Sequence, residues 1–173
     1  MMNTLQERLS RLDHALLNKE NICSSEGMLH AFPAALKEPF HMNGVGLVIC
    51  RQGNFMFSLN QKTYFAKAGE TLFIPEDSLF QVLQEADNVE LFILVYQIEP
   101  IRYIMGNSVA SMYLYSQLRT EPCYAWNTGD EEEVLKYMSL LDSTLEMEDN
   151  TFNRYEQKLL LIGLTYRICS IYN

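Results

Sequence analysis

The residues between 44 and 97 constrain this chain more than any others, because they read as short strands separated by turns, with a Gly69-x5-Pro75 step among them. Val45, Leu47 and Ile49 share one strand face, Phe55, Phe57 and Leu59 another, and Tyr64 and Ala66 oppose Thr63 and Phe65. Successive side chains of an extended chain point to opposite sides, so each alternation marks a strand. Arg51-Gln52-Gly53-Asn54 and Leu59-Asn60-Gln61-Lys62 supply the glycine and asparagine that tight hairpins need at positive φ. Consecutive strands are therefore expected to be antiparallel neighbours. Pro75 cannot donate to a ladder and belongs at a strand end. After the Glu76-Asp77-Ser78 turn, strands are expected over 79–83 and 89–98, the second with an apolar run at 91–95 suited to burial on both faces. Many short strands with regular turns point to a sandwich or small barrel.

The segment Ala68-Gly69-Glu70-Thr71-Leu72-Phe73-Ile74-Pro75 resembles the second motif of the cupin superfamily, Gly-x5-Pro-x-Gly-x2-His. The glycine and proline coincide. Asp77 stands at the second glycine and Phe80 at the metal-binding histidine, while the places for the first motif's His-x-His and Glu hold Met56, Ser58 and Lys62. The resemblance implies an α+β protein built on an antiparallel cupin-like β-barrel, a double-stranded β-helix, without its metal centre and without a cofactor. A metal-less cupin followed by helices is similar to the N-terminal sensor domain of AraC-type transcription regulators. On that resemblance residues 1–173 form one domain, with an N-terminal helix in 1–20, the barrel in 27–99, and a helical dimerisation layer in 101–173. It implies a small-molecule effector, a homodimer and no catalysis. DNA contact is expected only through a C-terminal helix-turn-helix part that these residues lack. The alternative is a stand-alone cupin enzyme, such as an isomerase or dioxygenase, or a plain binding module, since fold does not decide function. The missing His-x-His and Glu count against the metal-dependent enzymes.

Met56, Ser58, Tyr64 and Phe80 occupy or neighbour the vacated metal position, and so are the expected lining of a pocket in the barrel. Mixed apolar and hydroxyl groups suit an uncharged or weakly polar ligand. A filled core is the competing expectation.

Hydrophobic residues make up 48% of the 173, enough for the core of a single domain. The net charge of −9 argues against this chain gripping a phosphate backbone, which requires a lysine- and arginine-rich face. Cys23, Cys50, Cys123 and Cys169 contain no C-x2-C pair and read as reduced cytoplasmic thiols. His30 and His41 lack further ligands at fixed spacing, and a Cys50–His nucleophilic pair lacks an orienting third group. No secretory h-region opens the chain and no apolar run reaches the ~20 residues that span a bilayer, so a cytoplasmic protein with no membrane contact is expected.

Thr4-Leu5-Gln6-Glu7 has capping-box spacing, and Leu5, Leu9, Leu12 and Leu16 continue it as one apolar helix face. That helix is either a fixed brace on the barrel or a movable arm. Residues 21–26 read as a loop and 27–32 as the first strand. A helical connection is expected over 102–118, then an extended or looped 121–126 in which Trp126 is a packing anchor. Thr128-Gly129-Asp130-Glu131 repeats the capping box before a helix with Val134, Tyr137, Met138, Leu141 and Leu145 as its stripe. The terminal segment carries two seams. Phe152, Tyr155, Leu159, Ile162, Tyr166 and Cys169 recur in a heptad-like pattern, while Leu161, Leu164, Ile168 and Ile171 form a second line read as roughly 100° around the helix. If the aromatic seam packs on its own domain, the leucine–isoleucine seam is left to contact a symmetry mate.

Overall fold

The structure, a computed structural model, describes residues 4–101, 123–125 and 130–172. Helix α1 (Leu5–Leu17) begins at the capping box. Thr4 Oγ1 accepts the Glu7 amide at 3.2 Å, and the Glu7 carboxylate accepts the Thr4 amide at 2.9 Å. Two donors that a helix start leaves without partners are thereby satisfied. The leucine face packs on the sheets, with Leu12 and Leu16 buried.

The strands follow as β1 (Ile22–Ser24), β2 (Phe40–His41), β3 (Val45–Gln52), β4 (Asn54–Leu59), β5 (Lys62–Lys67), β6 (Glu70–Ile74), β7 (Leu79–Glu85), β8 (Glu90–Tyr96) and β9 (Cys123–Ala125), with a 3-10 turn at Ala34–Lys37 before β2. Of the two expected hairpins one forms: Asn60 (φ +50°) and Gln61 (φ +70°) join β4 to its antiparallel neighbour β5, whereas Gly53 (φ +77°) carries the chain from β3 into β4 without the two strands pairing, so these are not the neighbours expected. Both connections use the left-handed backbone their residue types favour. The expected first strand at 27–32 does not form as such. Strand β1 lies earlier, and Leu29 contributes one isolated bridge to Leu91. Glu26 (φ +50°) and Gly27 (φ +126°) turn the backbone out of extended geometry between the two.

The nine strands make two antiparallel sheets, ordered β1-β8-β3-β6-β9 and β2-β7-β4-β5. Among the described residues no ladder joins them, so the expected closed barrel is instead a sandwich. The chain passes from β5 to β6 through the Gly69 turn, but β5 pairs only with β4, and β6 only with β3 and β9. The two sheets meet by side chains rather than by backbone hydrogen bonds.

The five-stranded sheet is buried on both faces. Val48, Cys50, Leu72, Ile74, Leu91, Ile93 and Val95 point toward the other sheet and share a core with Phe55, Phe57, Leu59, Ala66, Phe80 and Val82. Their neighbours Leu47, Ile49, Phe73, Leu94 and Tyr96 point the other way, into a core closed by helices α2 (Asp130–Leu145) and α3 (Thr151–Tyr172). The apolar run in β8 is thus covered on both sides, as its lack of alternation requires. Val134, Met138 and Leu141 form the buried stripe of α2. Between the helices, Asn150 Oδ1 accepts the Asn153 amide at 2.9 Å, and Asn153 Nδ2 donates to the Thr144 carbonyl at 2.9 Å. The expected helix over 102–118, Trp126 and the Thr128–Gly129 part of the second capping box lie outside the described residues.

The seam of α3 that packs on its own domain is not the expected one. Leu161, Leu164 and Ile168 are buried in the intramolecular core, with Ile171 packed beside them, so this seam has no surface to offer a second copy. At 3.6 residues per turn its mean direction lies about 180° from the aromatic seam rather than 100°. Burying that seam leaves Phe152, Tyr155, Leu159 and Tyr166 of the other exposed, while its Ile162 and Cys169 still pack on the intramolecular core.

Candidate functional site

Gly69 has φ +88°, and a Cβ there would meet nothing within 4 Å, so the left-handed backbone alone favours glycine. Asp77, at the second glycine of the motif, keeps the same kind of backbone at φ +64°, a conformation aspartate tolerates better than most residues. Its amide donates to the Met42 carbonyl at 3.1 Å, and the Met42 amide donates to the Ser78 carbonyl at 2.8 Å. Residue 80 points into the sandwich, where it delivers a phenyl ring.

Phe80 is fully buried and lies 5.6 Å from Phe57, ring centre to ring centre; Tyr64 stacks on the other side of Phe57 at 5.4 Å. The series continues through Phe55, 5.7 Å from Phe57, to Phe32, which meets Phe55 edge-on at 4.8 Å. Rings at these separations attract beyond their simple burial. Tyr64 and Phe80 are thus brought together in the interior, and Tyr64, half-buried, brings a hydroxyl.

Met56 and Ser58 are not part of that group. They lie on the outer face of the four-stranded sheet, opposite Phe65 and Thr63 on β5 and Gln84 and Gln81 on β7. The expectation that one strand face carries Met56, Ser58, Tyr64 and Phe80 is corrected by strand parity: a shift of one residue sends a side chain to the opposite face. The interior positions of β4 are Phe55, Phe57 and Leu59. Their alternation is the signal in the sequence that separates them from Met56 and Ser58.

His30 and His41 are exposed, and among the described residues no three His, Cys, Asp or Glu side chains gather as a metal set would. Cys50 is buried, and its Sγ donates to the Gln52 carbonyl at 3.5 Å. Burial, with Glu70 adding to it, pushes this thiol up to about 11. Burial likewise pushes Cys23 up to about 12, helped by Glu20. Such thiols carry almost no thiolate at neutral pH.

A polar junction ties α1, β1 and α2 together. Ser24 Oγ donates to Asp142, and Arg11 pairs with Glu26 at 2.5 Å. Burial raises the Asp142 carboxyl to about 6, against the lowering effect of the Ser24 hydrogen bond; Glu26 and Glu146 push it further up and Arg11 draws it down. At the other end of α2, Arg51 of β3 reaches Glu132 at 2.7 Å and Glu131 at 3.2 Å.

On the outward side of α3, Phe152 is 87% exposed, Leu159 64%, Tyr155 58% and Tyr166 41%. These four apolar side chains recur at steps of three, four and seven along one face. No helix among the described residues is long and apolar enough to cross a membrane.

No family model matches the chain, and no curated protein matches it. Among solved structures, the chain is similar to apo ToxT K231A from Vibrio cholerae at 13% identity, covering 88% of this chain and 57% of that one, with a TM-score of 0.48. The AraC-like transcriptional activator CuxR aligns at 9% identity over 75% of this chain and 42% of that one, TM-score 0.44. A cupin family protein with a double-stranded β-helix fold from Methanocaldococcus jannaschii aligns at 21% identity over 35% of this chain and 57% of that one, TM-score 0.30. In each case the aligned part is less than two thirds of the matched chain. Likeness at this level assigns no function.

Proposed function

We propose that this chain is the effector-sensing and dimerisation unit of an AraC-type transcription regulator, built on a cupin-like sandwich that has lost its metal set. The exposed aromatic seam of α3 carries the proposal. A row of Phe152, Tyr155, Leu159 and Tyr166 in water is unfavourable for a soluble chain. Its heptad-like spacing suits a second copy of the same helix, and Glu156 and Lys158, of opposite sign, flank it. The effector reading rests on Tyr64, with Phe57 and Phe80 behind it: stacked rings for apolar contact and one hydroxyl to orient a weakly polar molecule. Catalysis is no part of the proposal. In this reading DNA is contacted by a helix-turn-helix unit, because residues 1–173 carry a net charge of −9 and the described residues offer no basic recognition helix.

Sedimentation velocity tests the association. The chain should sediment as a dimer, and the double substitution Phe152→Ser with Leu159→Ser should give a folded monomer with unchanged helical circular dichroism. Leu164→Glu should instead unfold the chain, because it places a charge in the intramolecular core. A monomeric parent chain at high concentration, or a seam variant that stays dimeric, overturns the assignment. Fusion to a DNA-binding domain that represses only as a dimer asks the same question in cells.

A further inference from the structure

We infer a second ligand site, outside the sandwich, that takes a small branched aliphatic carboxylate. A cavity of about 90 Å³ opens between the start of β1, the segment that follows β8, and the first half of α3. A single water needs only about 10–15 Å³ on such a measure, so the space is of small-molecule size. Ile22, Pro100, Ile101 and Leu161 supply apolar walls, and the surface they present is overwhelmingly carbon. Arg154 and Lys158, one turn apart on α3, stand among the lining residues with three amide side chains. None of the described lining residues is acidic, although acidic residues outnumber basic ones in the chain by 22 to 13.

That local reversal of charge over an apolar floor selects for an anionic head on a short hydrocarbon. An apolar body fits the walls, and a carboxylate is the head that guanidinium and ammonium groups recognise with charge-assisted hydrogen bonds. Both cations are available for it. Among the described residues the Arg154 side chain pairs with Asp149, at 3.3 Å with both side chains mostly exposed, a pair of the kind worth little in water. Lys158 rests with its Nζ 5.5 Å from the centre of the Tyr155 ring, and among the described residues it has no carboxylate partner. The floor needs no reorganisation to receive a ligand, because Leu161 and Ile101 are already fixed in the core beneath α3. The site is separate from the Tyr64–Phe80 interior and stands whether or not the chain belongs to a transcription regulator.

The test is an amide NMR titration of the intact chain with 3-methylbutanoate, its neutral isostere 3-methylbutanamide, and inorganic phosphate. The acid should shift resonances at and around Ile22, Ile101 and Leu161, with the amide binding about tenfold more weakly and phosphate leaving these positions unmoved. In the double variant Arg154→Gln with Lys158→Gln, which changes only solvent-facing head groups, the acid should fall to the affinity of the amide. The proposal is overturned if acid and amide bind alike, if phosphate alone reproduces the shifts, if the double variant binds the acid as the parent does, or if no resonance around the cavity moves.

Discussion

Replacing Asp142 by asparagine should stabilise the protein at neutral pH and leave it unchanged in acid. The carboxyl sits between α2 and β1, receives the Ser24 hydroxyl, and titrates at about 6 against an ordinary value of 3.8. A displacement of about two pH units corresponds to about 3 kcal/mol at 1.36 kcal/mol per unit. At a half-buried position, solvent screening reduces this to about 1–2 kcal/mol. The native state holds the proton more tightly than the unfolded chain, so the associated stability is complete below about pH 3.8 and lost as pH rises through about 6. Above that range the wild-type protein holds a carboxylate beside Glu26 and Glu146, only partly balanced by Arg11. Asparagine keeps the oxygen that accepts the Ser24 hydroxyl and removes the charge. Urea unfolding of both proteins at several pH values from about 4 to 7.5 measures the difference directly. The gap should open from about pH 4 to about 6, between the unfolded and folded pKa values, and reach about 1–2 kcal/mol. A gap that is constant with pH, or that favours the parent protein at pH 7.5, would refute the reasoning.

Strand parity in β4 makes a paired prediction. Phe57→Ala, in the middle of the ring series, should cost about 3–5 kcal/mol, while Met56→Ala on the outer face should cost less than about 1 kcal/mol. Equal losses in a melting experiment would place both residues on the wrong faces. Cys23 and Cys50 should resist a thiol-reactive dye at pH 8 in the folded protein and react on unfolding, since burial withholds both access and thiolate. Rapid labelling of either in the native state would contradict their burial.

The strands were legible because their alternation is a local property of the chain. So was the β4–β5 hairpin, whose Asn60-Gln61 states its own backbone conformation, whereas the glycine turn at Gly53 carries the chain between sheets, which its residue type alone does not distinguish from a hairpin. The α1 capping box was equally readable, since all its atoms lie within one helical turn. Harder to read was which way each face points once alternation is established. Val45, Leu47 and Ile49 look like Phe55, Phe57 and Leu59 in pattern, yet the first group faces the helices and the second faces the other sheet. That choice depends on which layer covers which face, a relation between distant segments. The same limit governed α3, where both seams are apolar enough to be buried and tertiary packing selected the aliphatic one. For the candidate site, the Gly69–Pro75 spacing points to position 80, which is interior, whereas Met56 and Ser58 lie on the outer face, as the alternation with Phe55, Phe57 and Leu59 requires. β1 was missed because three residues offer too short a pattern, and its ladder with β8 supplies what the pattern does not.

The double coverage of the five-stranded sheet bears on how this chain tolerates sequence drift. In β4 every second residue meets solvent or the outer sheet surface, so half of the strand is free to vary. Over Val45–Cys50 of β3 there is no such permissive half: Val48 and Cys50 answer to one core, Leu47 and Ile49 to the other, and a methyl group at Gly46 would have to displace the end of Met42 and press on Ile74. A library that randomises each strand and selects for folded protein should therefore return a two-residue rhythm of acceptance in β4 and a flat, intolerant record from Val45 to Cys50, relaxing at the exposed Arg51 and Gln52.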